Sequence, residues 1–260
     1  MSPDGAKPLI SRIGLICAGA AALAAIVAGY GNGAGWWSYR AALSALPWAA
    51  AFGLAGALIS LAGLVWRTHR GRPRTTLYAI LGILLGLVAA GYPYSMRVIS
   101  RHVPSIHDIT TDTASPPAFV ALVPLREAAG ATSPSAYDGP ATARLQLAAY
   151  PNIKPSLYSV PAPHVFDAAL KAAQDMGWQI VASVPAEGRI EAIATTFWFH
   201  FKDDVVIRVA PERNAPGGGP GPITRVDVRS KSRLGRGDFG TNAARIQRYL
   251  AALDRRMKEP

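Results

Sequence analysis

Three apolar stretches within the first hundred residues decide most of what this chain can become. Ile10 to Tyr30 carries one charge, Arg12 near its start. At a rise of ~1.5 Å per residue a helix of this length covers ~30 Å, the depth of a bilayer's hydrocarbon core. Leu43 to Trp66 and Thr76 to Tyr92 are the second and third such stretches. A chain that must hide its backbone polar groups in lipid at these places makes helices there. Lys7 and Arg12 before an apolar run ending in small residues also fit a cleaved signal peptide. The length of the run and the spans behind it favour an uncleaved first span.

The flanks of the spans orient them. Trp36, Trp37 and Trp66 stand at headgroup depth, and Tyr92 and Tyr94 close the third span. Arg67 to Arg74 holds four arginines between spans two and three, against Arg40 alone between spans one and two. The positive-inside rule then puts the amino terminus and the 67–75 loop in the cytoplasm. Everything after Tyr92 falls on the other side. Gly82 and Gly86 make a small-xxx-small pattern suited to close helix approach. The lone Cys17 lies within the first span, so no disulfide forms within one chain.

The net charge of +11 at first points to nucleic acid. Residues 1–100 hold eight basic residues and one acidic, a balance of +7, and residues 101–260 only +4. Most of the surplus belongs to topology-setting loops, and no nucleic-acid partner is expected.

Residues 1–94 thus form a membrane domain and 95–160 a Pro-, Ser- and Thr-rich approach arm. Residues 161–260 form an α+β domain. Val165 to Met176 has the apolar spacing of an amphipathic helix ended by Gly177. Trp178–Val184, Gly188–Phe201, Val205–Ala210 and Ile223–Ser232 alternate as strands, with Lys202-Asp203-Asp204 as a hairpin turn. Val205, Ile207 and Val209 share one face and leave Arg208 on the other. Val226 and Val228 face inward, and Arg225, Asp227, Arg229 and Lys231 outward. Ala215 to Pro222 is a Gly/Pro loop expected to be mobile. A closing helix carries Ile246, Leu250, Leu253 and Met257 as its core stripe, with Asp238 as its cap. The expected fold is a helix, four antiparallel strands and a helix behind three spans.

Several motifs in order then match one family: IHDITTD from Ile106 with Pro116-Pro117, Tyr150-Pro151, GRIEA at 188–192, DDVVIRV at 203–209 and VDVRSKSRLGRGDFGTNAARI at 226–246. Over roughly 105–255 the chain resembles the bacterial and plastid family known as domain of unknown function 1499. The resemblance brings no biochemical activity with it.

The densest polar constellation sits where the last strand meets the last helix: Arg229, Ser230, Ser232, Arg233, Asp238, Asn242 and Arg245. A helix amino terminus beside guanidinium forks is suited to an anion. His107, Asp108, Asp112 and Arg208 are secondary contributors. The same charges equally fit a cross-strand ladder on a solvated sheet face. His107, Asp108 and Asp112 lack the further histidines a metal site would want, so no metal and no cofactor is expected. No GxSxG elbow, HExxH helix or phosphate loop occurs. Arg236-Gly-Asp238 is explained by turn and cap chemistry.

The expectation is a multi-pass protein of the bacterial inner membrane with its carboxy-terminal domain in the periplasm. That domain binds or scaffolds an anionic envelope component or a partner protein. Two alternatives stand beside it. One is a hydrolase or isomerase with its site between the 106–112 loop and the 229–245 junction. The other is an accessory subunit of a membrane complex.

Overall fold

The computed structural model describes residues 3–66, 73–212 and 221–258, and side chains from Leu9 onward. The arginine-rich loop between the second and third spans and most of the 215–222 loop lie outside the described residues. The chain divides into two compact units. One comprises Met1–Arg101 with Phe197–His200, and the other His102–Thr196 with Phe201–Pro260.

The first unit holds α1 (Pro3–Gly33), α2 (Tyr39–Val65) and α3 (Pro73–His102). All three are long and apolar enough to cross a membrane. They pack in a way suited to lipid. Small residues are buried, among them Ala18, Ala42, Ala49, Ala57 and Ala79, while Leu23, Phe52, Leu58 and Val88 point outward. Hydrocarbon solvates such side chains as well as a protein core does, so close backbone approach drives the packing. The Gly82/Gly86 pattern serves this within one chain. A Cβ at Gly86 would overlap the Gly53 carbonyl oxygen, and one at Gly82 the Ser60 hydroxyl. Pro47 and Pro93 lie inside α2 and α3 without ending them.

Phe197–His200 belongs to this unit too. The Trp198 ring meets Tyr92 edge-on at 4.7 Å between centroids, and the Trp198 Nε1–H donates to the Ile26 carbonyl at 3.4 Å. Asn32 Nδ2 donates to the Phe199 carbonyl at 2.7 Å. A side chain at Gly29 would overlap the Trp198 indole, and one at Gly33 the His200 ring.

The second unit opens with β1 (Asp108–Thr110), α4 (Leu122–Ala128), α5 (Pro140–Ala149) and β2 (Ser156–Tyr158). It continues with α6 (Ala162–Asp175), β3 (Gln179–Val184), a single 3-10 turn at Pro185–Glu187, and β4 (Arg189–Thr195). Then come β5 (Lys202–Pro211), β6 (Thr224–Ser232) and α7 (Thr241–Arg256). The sheet runs β1-β6-β5-β4-β3, with β2 also on β6, and every pairing is antiparallel.

It therefore has six strands and not four. β1 and β2 come from the arm and line up along the free edge of β6, Asp108–Thr110 beside Arg229–Lys231 and Ser156–Tyr158 beside Thr224–Val226. Three residues are too few to show alternation. The hairpin turn also differs from expectation. It occupies 196–201, and Lys202, Asp203 and Asp204 are paired strand residues, Lys202 opposite Thr195 and the two aspartates opposite Ser232 and Lys231. His200 has φ 52° within this turn.

The inner face of the sheet carries the core. Ile190, Val205, Ile207, Val226 and Val228 meet Val165, Phe166, Ala169, Ile246, Tyr249 and Leu253 from α6 and α7. Trp178 stacks on Tyr249 at 5.1 Å, and the buried Tyr249 hydroxyl donates to the Ala169 carbonyl at 3.0 Å. Burial raises that phenol well above its ordinary value. The outer face is not solvated. The arm covers it, with Phe119 and Leu122 packed on Ile193 and Val206. Asp227, Arg229, Lys231 and Arg233 are all buried there.

Gly188 sits at φ 61°, and a Cβ there would overlap the Val209 carbonyl oxygen. Gly188→Ala should lower stability by about 2 kcal/mol or more. Gly221→Ala, with open space around it, should leave it nearly unchanged, both read as shifts in a denaturation midpoint.

Candidate functional site

β6 sends alternate side chains to opposite faces, so the sheet itself divides the predicted constellation. Ser230, Ser232, Asn242, Arg245 and Asp238 gather on the helix side. Arg208, Arg229 and Arg233, with Asp108 and Asp112, gather beneath the arm. No single concave site holds them all.

On the helix side, Ser230 Oγ donates to Asn242 Oδ1 at 2.7 Å and accepts from Arg245 Nη1 at 3.0 Å. Asn242 Nδ2 donates to Ser232 Oγ at 2.9 Å and to the His107 carbonyl at 3.0 Å. Arg245 also donates to Asn242 Oδ1 and forms an ion pair with Asp203. Asp238 accepts from Gly240 N at 2.8 Å and from Asn242 N at 2.7 Å. It thereby does the work of a cap, although Gly240 occupies the cap position. Burial raises the Asp238 carboxyl above its ordinary value, and those two backbone donors act the other way.

Under the arm, Arg229 grips Asp108 with two bonds of 2.8 Å. It donates further to the carbonyls of Pro117 at 3.2 Å and Ser135 at 3.0 Å. Its guanidinium lies over the rings of Phe119 at 4.7 Å and Tyr137 at 5.5 Å. Lys231 bonds to the Ala136 carbonyl at 2.8 Å and pairs with Asp138 and Asp108. Arg233 and Arg126 share Asp204. Arg208 and Arg225 share both Asp112 and Asp227. The Glu191 carboxylate, fully buried, accepts from the backbone of Val120, Ala121 and Leu122 at 2.9–3.1 Å and pairs with Arg189. Burial pushes the Tyr137 phenol up to about 12; Asp108 adds to the rise and Arg229 opposes it.

His107 and Asp108 do reach the arginines, but inside the protein. His107 Nε2 faces both Ser133 Oγ at 3.2 Å and Asp138 at 3.6 Å, and its Nδ1 has no hydrogen-bond partner among the described residues. A nucleophilic triad needs serine and acid on opposite ring nitrogens. Ser133 Oγ is moreover held by Arg126 at 2.7 Å. Among the described residues no group of three His, Cys, Asp or Glu is placed to hold a metal ion.

The sequence reading missed Arg126, Asp138, Asp203, Asp204 and Lys231 as partners in these networks. For Asp203 and Asp204 a signal existed. Alternation through DDVVIRV extends backwards and sends one carboxylate to each face. For Arg126, on a seven-residue helix, none did.

A side chain charged and buried this completely depends on its partner. Arg229→Ala, which leaves the buried Asp108 with Lys231 as its remaining cation among the described residues, should cost about 3–5 kcal/mol. Arg229→Met with Asp108→Leu should recover part of that, because the Pro117 and Ser135 carbonyls still lose a donor. Chemical denaturation of the three variants measures both.

Residues 108–253, more than half of the chain, match the family described as Protein of unknown function (DUF1499). No curated protein and no solved structure matches the chain.

Proposed function

The chain belongs to the DUF1499 family, and from that premise we propose that it is a membrane-anchored periplasmic module that binds an anionic envelope component. In this reading the sheet is a frame and recognition happens at the surface. One observation favours recognition at the surface over chemistry at the strand–helix junction: Arg229, Arg233 and Arg245 are each engaged by an internal carboxylate, Asp108, Asp204 and Asp203. An anion reaching any of them would have to displace that carboxylate within the interior, at a cost of several kcal/mol. A catalyst would keep such groups free to meet substrate.

The compartment is read from charge. Three helices able to span a membrane, with arginines concentrated between the second and third, support a reading with the amino terminus in the cytoplasm and residues beyond the third span outside it. The membrane is then the bacterial inner membrane.

Two experiments test these points. In a Cys17→Ser background, Ser115→Cys should react in whole cells with a maleimide that cannot cross the inner membrane. Thr68→Cys should react only after that membrane is opened. The reverse pattern ends the periplasmic reading. Separately, Arg229→Met with Asp108→Leu, and Arg245→Met with Asp203→Leu, should each complement a deletion strain as far as they fold. A variant that folds normally by its denaturation curve and fails to complement would assign the pair to chemistry or ligand contact.

A further inference from the structure

We infer that the groove between the 113–116 loop and α5 binds a small amphipathic anion, an apolar body bearing one carboxylate or phosphate. The inference rests on the binding reading above and names its site. The groove has a volume of about 420 Å³, within the ~300–1,000 Å³ usual for small-molecule pockets. Pro116, Tyr137, Pro140, Ala143 and Leu147 supply its apolar lining. Leu147 is half-exposed, leaving apolar surface for a ligand to cover.

Arg144 gives the ligand its charge. It is the one charged side chain among the described lining residues, it is exposed, and it has no ion pair or hydrogen bond among the described residues. The buried arginines are all spoken for by carboxylates; this one has its guanidinium fork open, the geometry that takes a carboxylate or phosphate in two parallel bonds.

Both sides of the groove are fastened to the sheet. On the loop side, Asp112 Oδ1 accepts from Ala114 N at 3.0 Å and Ser115 N at 2.9 Å, while Arg208 and Arg225 hold its other oxygen. On the helix side, the buried Gln146 of α5 bonds both backbone groups of Thr110 in β1, at 3.0 and 2.6 Å. Between them the Tyr137 ring lies against the Arg229 guanidinium. A ligand entering such a groove orders little that is not already ordered, which favours affinity.

The test is photo-crosslinking of the full chain in its membrane with a diazirine-bearing decanoate, the labelled residues mapped by mass spectrometry. Labels are expected within 113–116 and 140–147, removed by excess decanoate or decyl phosphate and not by decanol. Which of the two anions competes better separates a carboxylate ligand from a phosphate one. Arg144→Gln should lower the competable label about tenfold or more, as loss of a charge-assisted contact implies. Ala143→Trp, which fills the groove, should abolish it. Labels confined to α1–α3, decanol competing as well as decanoate, or labelling indifferent to Arg144→Gln would each overturn the site. Such a failure with Ser115→Cys still reactive from outside removes the groove alone. Groove labelling with Ser115→Cys unreactive from outside removes the compartment and keeps the groove.

Discussion

The second unit depends on carboxylates and guanidinium groups meeting where water does not reach. Two charges taken into a protein interior are costly unless each satisfies the other with good geometry. Here the geometry is met on both faces of one sheet. Asp203 and Asp204, adjacent in β5, point to opposite sides and engage Arg245 on one and Arg126 with Arg233 on the other. Asp108 from β1 engages Arg229 and Lys231. Removing either carboxylate shared by two cations, Asp108 or Asp204, would take a buried partner from both at once. The arm, the sheet and α7 are therefore fixed against one another by demands that few other arrangements of this sequence meet.

The membrane unit follows a different rule. With lipid as solvent, large apolar side chains gain little by turning inward, so glycine and alanine fill the contacts and leucine, valine and phenylalanine face out. One chain thus contains two packing logics. In one unit small residues permit approach, and in the other charge complementarity dictates it.

The sequence made part of this legible. The spans could be read because twenty apolar residues in a row have few other uses, and α6, α7 and β3 to β6 because their periodicities are long enough to count. The arm could not. β1 and β2 are three residues each, and what defines them is the edge of β6, more than sixty residues downstream. The polar junction was seen as a cluster, yet its division between two faces follows from Ser230 and Arg229 being neighbours in a strand. The Asp203-Asp204 pair was taken for a turn because aspartates favour turns in general; pairing with β4 and β6 makes it strand, and Arg126, Arg233 and Arg245, distant in sequence, satisfy its buried charges. Arg144 and the groove had no signature at all, since the helix that carries them lies in a stretch read only as an approach arm.

The pairing of β1 with β6 also sets a timetable. Asp108 and Arg229 stand 121 residues apart, so at a synthesis rate of about 5–20 residues per second the carboxylate waits roughly 6–24 s for its cation. Through most of that interval, until Ile193 and Val206 are made, Phe119 and Leu122 have nothing to pack on. Contacts that join such distant parts of a chain are slow to form. A nascent chain of this protein therefore passes through a stage with its arm unshielded, and that stage is where a chaperone or a protease would meet it.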